Sequence, residues 1–234
     1  MGLPKIEKPI FSITLPSNGK TIQYTPFTVK EEKILLIAQE SKNTDQISTA
    51  IKQVISNCII DYDVNDMAVF DIEYVLLNLR AKSVNNLFEF KIKDPDTGEE
   101  IEIEFDVDEI QIEKDNAHTN KIQLTDDMIL IMKYPTINQL DNIIESIKSD
   151  DTNSTIDLMV SCFDYVAEND SVYKISEYTD KEILEFVDSF SGKNAQDIKR
   201  FFSTMPSLKL EKKYKRKDGT EKTFVLKGTQ TFFI

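Results

Sequence analysis

Phe88-Glu89-Phe90-Lys91-Ile92-Lys93-Asp94-Pro95-Asp96-Thr97-Gly98-Glu99-Glu100-Ile101-Glu102-Ile103-Glu104-Phe105 alternates apolar and charged side chains into a polar turn and out again. A period of two puts the apolar set on one face of a pleated ribbon, and the Asp-Pro-Asp-Thr-Gly tip reverses the chain. Residues 88–105 therefore read as a β-hairpin. Residues 209–226 repeat the object with Lys217-Asp218-Gly219 at the tip. Hairpins of this shape often carry paired thiolates at their tips. Neither tip here contains a cysteine, so neither can form a metal knuckle.

On the N-terminal side, residues 11–15 and 21–24 alternate around Pro16-Ser17-Asn18-Gly19. Asn-Gly supplies the positive φ angles of a tight turn, which predicts a further hairpin. Thr28 then reads as an N-cap with Glu31 and Glu32 in the first turn, and Ile34, Leu35, Ile37 and Ala38 carry an apolar stripe to Ser41. A second helix over 45–59 aligns Ile47, Ala50, Ile51, Val54, Ile55 and Cys58, and a third over 71–82 aligns Ile72, Val75, Leu76 and Leu79.

Beyond the first tip hairpin, residues 107–113 and 121–124 read as short strands. Residues 128–133 lead to Tyr134-Pro135, where Pro135 disfavours helix. Helical periodicity follows over 136–148, 155–167, 180–190 and 195–204, with linkers at 149–153, 168–171 and 191–192. Pro206 stops the last helix before the closing hairpin. Helices followed by a hairpin, twice, suggests a duplication, but no fixed-period self-similarity supports one. The expected fold is α+β and mostly helical with antiparallel hairpins. It comprises two helix-plus-hairpin lobes, residues 1–113 and 114–234, or a single compact domain formed from both.

A chain of 234 residues with 40% hydrophobic and 9% aromatic content can bury a substantial core. Its 41 acidic and 28 basic residues give a formal charge of −13, which repels phosphate backbones and anionic membrane surfaces. Neither nucleic acid nor membrane is an expected partner. No apolar run reaches the roughly 18 residues needed to span a bilayer, and residues 1–8 lack the apolar core of a signal peptide. Cys58 and Cys162 sit among apolar residues in expected helices, as buried free thiols of a reducing compartment do.

Motifs for catalysis are sparse. The six glycines form no phosphate-binding loop. His118, the only histidine, lies in the polar loop Asn116-Ala117-His118-Thr119-Asn120 and is expected to be an unpaired surface residue rather than a general base. The cysteines have no neighbouring histidine, and apolar surroundings raise a thiol pKa. Acidic clusters such as Asp61-Tyr62-Asp63 and Asp106-Val107-Asp108 lack the ligand spacing of a calcium loop and read as a solvated face. A metal-dependent hydrolase would need such carboxylates and His118 in one pocket.

The closing hairpin is basic in an acidic chain. Lys209, Lys212, Lys213, Lys215, Arg216, Lys217, Lys222 and Lys227 surround Tyr214, Phe224 and Val225. The strip reads either as a docking surface for an acidic partner, or the acidic half of another copy, or as an edge strand protected from aggregation by lysines. The tail Thr231-Phe232-Phe233-Ile234 is apolar and should tuck into the core or a partner. The candidate contact residues are Lys212, Lys213, Tyr214, Lys215, Arg216, Phe232 and Phe233.

Several blocks resemble the baseplate hub assembly proteins of T4-like tailed bacteriophages. They are Leu3-Pro4-Lys5, Ile13-Thr14-Leu15-Pro16-Ser17, Pro26-Phe27-Thr28-Val29-Lys30-Glu31-Glu32-Lys33, the run from Asp71 to Ser83, Lys121-Ile122-Gln123-Leu124, and Met132-Lys133-Tyr134-Pro135. Phe201-Phe202-Ser203-Thr204-Met205-Pro206 and Leu226-Lys227-Gly228-Thr229-Gln230-Thr231-Phe232-Phe233 complete the resemblance over nearly the whole chain. Members of that family often carry C-x-x-C-G at both tips, a four-thiolate zinc site if the tips meet. Here the matching positions hold Asp94 and Thr97, and Lys215 and Asp218, which makes the hairpins zinc-ribbon-like but without ligands. The resemblance implies no enzyme, cofactor or metal. It implies a phage protein that docks other hub proteins in the host cytoplasm as an assembly factor or chaperone, or that stays in the virion baseplate as a structural subunit.

Overall fold

The Pro-Ser-Asn-Gly turn joins β1 (Phe11–Thr14) to β2 (Thr21–Tyr24) as an antiparallel pair, with Phe11 opposite Tyr24. The computed structural model describes residues 6–139 and 152–227. By their contacts these residues divide into two units, one formed by 6–113 with 206–227, the other by 114–139 with 152–205. All strand pairing is antiparallel, so the architecture is mixed α+β.

In the first unit β3 (Ile59–Ile60) extends the opening hairpin, and α1 (Val29–Ser41), α2 (Thr44–Cys58) and α3 (Val69–Ser83) follow the expected boundaries closely. The capping box at α1 is formed: the Thr28 amide and hydroxyl donate to Glu31 Oε2 at 3.0 and 2.5 Å. The α2 stripe is core-facing, with Val54 and Ile55 fully buried. The α1 stripe is not. Ala38 is buried but Ile37 is 66% exposed, because α1 packs along α2 on one narrow side.

Apolar on nearly every side, α3 is the unit's central element, as burial of Phe70, Ile72, Val75, Leu77 and Leu79 shows. Its first turn holds Asp71, which accepts from the Ser17 amide at 3.0 Å and the Ser17 hydroxyl at 2.5 Å, tying the opening turn to the helix. Its other end, through Leu77 and Ala81, packs on both tip hairpins. These are β4 (Leu87–Lys93) with β5 (Glu100–Asp106), and β11 (Ser207–Lys215) with β12 (Glu221–Lys227). Phe88, Phe105, Val107, Leu208, Leu210 and Leu226 complete that core.

Residues 107–113, expected as one strand, divide into a capped 3-10 turn, Val107–Glu109, and β6 (Gln111–Glu113), which pairs with β11. The closing hairpin, expected with residues 114–234, thus belongs with the first unit. An apolar core and a strand pairing with β6, in which Ser207 meets Glu113 and Lys209 meets Gln111, decide its place.

The second unit is a four-stranded sheet in the order β10 (Ser171–Lys174), β9 (Phe163–Glu168), β8 (Met128–Met132), β7 (Lys121–Gln123). Around it run α4 (Thr152–Ser161), α5 (Asp180–Asp188) and α6 (Gly192–Thr204). Leu130, Cys162, Phe163, Ile198 and Phe201 are its most buried apolar residues. The helix expected over 155–167 stops at Ser161, and the linker expected at 168–171 is a hairpin turn with Asn169 at φ +50°. Ile156, Met159, Val160 and Phe163 satisfy a helical period, but β8 offers a hydrogen-bonding edge that residues 163–168 complete. Of the helix expected over 136–148, a 3-10 turn at Ile137–Gln139 is seen and the remainder lies outside the described residues. So do Phe232 and Phe233.

Candidate functional site

The tip of the first hairpin is built on Asp94. Its main chain closes the turn, with the Asp94 amide donating to Glu99 O at 2.9 Å and the Gly98 amide to Asp94 O at 2.8 Å. Its carboxylate Oδ1 accepts from the Asp96 and Thr97 amides at 2.9 and 3.0 Å. The second tip is its counterpart. Gly219 donates to Arg216 O at 2.9 Å, and the Thr220 amide donates to Asp218 Oδ1 at 2.9 Å. Gly98 at φ +71° and Gly219 at φ +85° occupy the left-handed region that favours glycine.

The two tips meet. Arg216 grips Asp94 with both arms, Nε to Oδ2 at 2.8 Å and Nη2 to Oδ1 at 2.7 Å, and the Tyr214 hydroxyl donates to Oδ2 at 2.6 Å. The Asp94 side chain has no exposed surface and that of Arg216 only 11%. Arg216 Nη2 also reaches Asp96 Oδ2 at 2.5 Å, which Lys222 approaches at 3.0 Å, and Lys217 bonds Glu99 at 2.8 Å outside the cluster. The fork of a guanidinium on a carboxylate fixes both distance and orientation.

Electrostatics follow from these contacts. The Arg216 hydrogen bonds, and secondarily the Tyr214 and backbone bonds, hold the Asp94 carboxyl far below the usual carboxylate range. Asp94 in turn raises both Arg216 and the Tyr214 hydroxyl above their ordinary values. The cluster is charged and closed: the Asp94 carboxylate accepts five hydrogen bonds.

The pleat sorts the residues expected to bind a partner. Even-numbered positions of β11 and β12 face the first hairpin and its core: Leu210 and Leu226 are buried, Lys212 donates to Glu109 at 2.6 Å, and Tyr214 continues the row to Arg216 in the tip. Odd-numbered positions face away. Lys213 is exposed opposite Thr223, and Lys215, with 72% of its side chain exposed, pairs with Glu221 at 3.4 Å. At the base, Lys209 and Lys227 both contact Glu113. Sequence reasoning grouped the cations but missed their acceptors, Asp94, Asp96 and Glu109. The available signal was charge complementarity between two hairpins of equal plan.

His118 is not an unpaired surface residue. In the second unit its Nδ1 lies 2.8 Å from Thr204 Oγ1 and its Nε2 lies 3.0 Å from the Tyr134 hydroxyl, and the ring stacks on Tyr134 and contacts Phe201. Thr204 donates its one hydroxyl proton to Arg200 O at 2.7 Å. Nδ1 is therefore the donor to Thr204, and Nε2 accepts from Tyr134. Burial lowers the imidazole pKa, which suits this neutral form. Cys58 and Cys162 are buried free thiols, each pushed up to about 11 chiefly by desolvation.

The family described as T4 bacteriophage base plate protein matches residues 8–234. The chain belongs to this family. No curated protein and no solved structure matches it. Membership points to a role at the baseplate of a tailed phage, in contact with other baseplate proteins, within a family of structural and assembly proteins that is typically non-enzymatic. The thiolate pairs that family members often carry at these tips have no counterpart in the residues here. The four positions offer no thiolate or imidazole, and both Asp94 oxygens are already engaged by backbone amides, Tyr214 and Arg216. No helix of the described residues is long and apolar enough to cross a membrane.

Proposed function

We propose that this protein is an assembly factor of the phage tail baseplate hub, docking other hub proteins in the host cytoplasm through the outward face of its closing hairpin. The observation that carries the reading is the split within the basic strip of a baseplate-family chain. Lys212, Tyr214 and Arg216 are engaged with the first hairpin, whereas Lys213 and Lys215 project away from it beside Val225, itself 48% exposed. Exposed cations flanking an apolar side chain suit an acidic partner surface with a small apolar centre. The inward residues act indirectly, by holding the strand that presents the outward ones.

The test is co-purification of hub proteins co-expressed from the same phage with the wild-type chain and with Lys213→Glu/Lys215→Glu. Retained fold and lost capture are expected. Undiminished capture by that variant sinks the docking face. Mass spectrometry of purified particles separates a transient factor, absent from the virion, from a structural subunit present at fixed stoichiometry.

A further inference from the structure

In the second unit the sheet and α5 do not close on one another. Between them lies an open cleft of about 320 Å³ lined by Met128, Val166, Tyr173, Ile175, Ile183 and Phe186, with Glu168, Tyr178 and Glu182 also at its wall. Tyr173 lies opposite Val166 across the β9–β10 pair, so both stand on the sheet face that looks into the cleft. Of its wall residues, Tyr173 is 38% and Tyr178 41% exposed. Monomer surfaces seldom leave such a wall open without a use.

Two further features define the occupant. β10 is the end strand of its sheet among the described residues, and all four of its residues are exposed. Its outer backbone groups are available to an added strand, whose alternate side chains would fall on the cleft face beside Tyr173. The surroundings are acidic: residues 163–190 carry eight carboxylates against Lys174 and Lys181. Glu182 is fixed there by the capping box of α5, its Oε2 accepting from the Thr179 amide at 2.9 Å and hydroxyl at 2.7 Å, which lowers its pKa and keeps it anionic. Glu168 reaches the Tyr173 hydroxyl at 3.5 Å.

We infer that this cleft and the β10 edge together bind an extended segment of another protein whose cleft-facing alternate residues are apolar at the centre and lysine or arginine at either end. Apolar side chains fill the cleft, the backbone adds to β10, and the flanking cations, on the same face of the added strand, meet Glu168 and Glu182. Charge argues against the alternatives. A second copy brings its own net charge of −13, and residues 140–151 of this chain carry four carboxylates and one lysine. The site belongs to the second unit and the closing hairpin to the first, and the inference does not depend on the function proposed for the hairpin.

The chain has no tryptophan, so a peptide can carry the only one. The probe is a synthetic heptapeptide with lysine at its first and last positions, leucine at the third, tryptophan at the fifth and threonine between them, titrated with full-length protein and followed by tryptophan emission. A saturable blue shift is expected, with affinity falling at least about tenfold when the lysines are replaced by glutamates. Tyr173→Asp should weaken binding about tenfold as well, whereas Val29→Asp on α1 should not. Attraction to the acidic chain at large would instead be strengthened by Tyr173→Asp. Should that variant fail to fold by circular dichroism, Glu182→Gln preserves the cap and should weaken binding about threefold while reducing its salt dependence. Equal binding of the glutamate peptide, or indifference to the cleft variants, overturns the inference. So does a dimer abolished by Tyr173→Asp, or a gain in affinity from Ile143→Asp/Ile144→Asp, which would assign the cleft to a second copy or to the chain itself.

Discussion

The first tip hairpin closes on carboxylates and the second on cations, yet both divide their charge in the same way. Side chains at the tips are bonded across the pair, Asp94 to Arg216 and Asp96 to Lys222, and Lys212 on the facing row bonds Glu109 of the 3-10 turn that follows the first hairpin. Side chains on the outward rows stay in solvent, Glu100, Glu102 and Glu104 on one hairpin, Lys213 and Lys215 on the other. The charge of a strand residue thus says little about its role until the face is known. A cation that looks like a docking group becomes a structural one by a shift of a single position.

Both hairpins rest on one apolar floor, so the largest expected effect is common to them. Leu210 is fully buried among Leu77, Phe88, Phe105, Leu208 and Leu226. Leu210→Ala should cost about 2–5 kcal/mol in denaturant unfolding. Hydrogen exchange should quicken in β4–β5 as well as β11–β12. Quickening confined to the closing hairpin would break the comparison, since it would mean the two are not one cooperative piece.

Next comes the bond between the tips. Arg216→Ala leaves the buried Asp94 carboxylate with no cation and should lower the melting temperature by roughly 10 °C. Asp94→Ala/Arg216→Ala should recover part of that loss, because the stranded charge is gone. A double variant no better than the single would show that the guanidinium acts through packing alone.

The same pair predicts an acid limb. Asp94 titrates below its unfolded value of 3.8 because Arg216 favours the carboxylate. Its contribution is therefore complete well above that pH and fades as pH falls through 3.8 and towards the lower folded value. Stability measured from pH 6 to pH 2 should fall less steeply in Asp94→Asn than in wild type. Parallel curves would remove Asp94 from the account of acid unfolding.

The hairpins, the Thr28 cap and the three N-terminal helices were legible in the sequence, because alternation, an Asn-Gly turn and a capping box are local codes. What was not legible was non-local. Nothing local tells Arg216 that its carboxylate lies 122 residues earlier, or that Thr204 and Tyr134 take up both nitrogens of His118. Residues 155–167 failed differently. Ile156, Met159, Val160 and Phe163 fit a helical stripe, and only the presence of β8 turns the latter part into a strand. The Asn169-Asp170 turn was a local sign of that hairpin, hidden within what read as a polar linker.

The smallest expected effect sharpens the comparison most. Lys213 and Lys215 lie on the outward row, and the only ion pair involving either among the described residues, Lys215 with Glu221, has both side chains more than half exposed. Lys213→Glu/Lys215→Glu should therefore change unfolding free energy by less than about 1 kcal/mol. If the double reversal is as damaging as Arg216→Ala, the split between inward and outward rows is not an energetic one. If it is mild, loss of partner capture by the same variant cannot be blamed on unfolding. The stability measurement is thus what gives the binding measurement its meaning, and on these two lysines structure and contact can be separated.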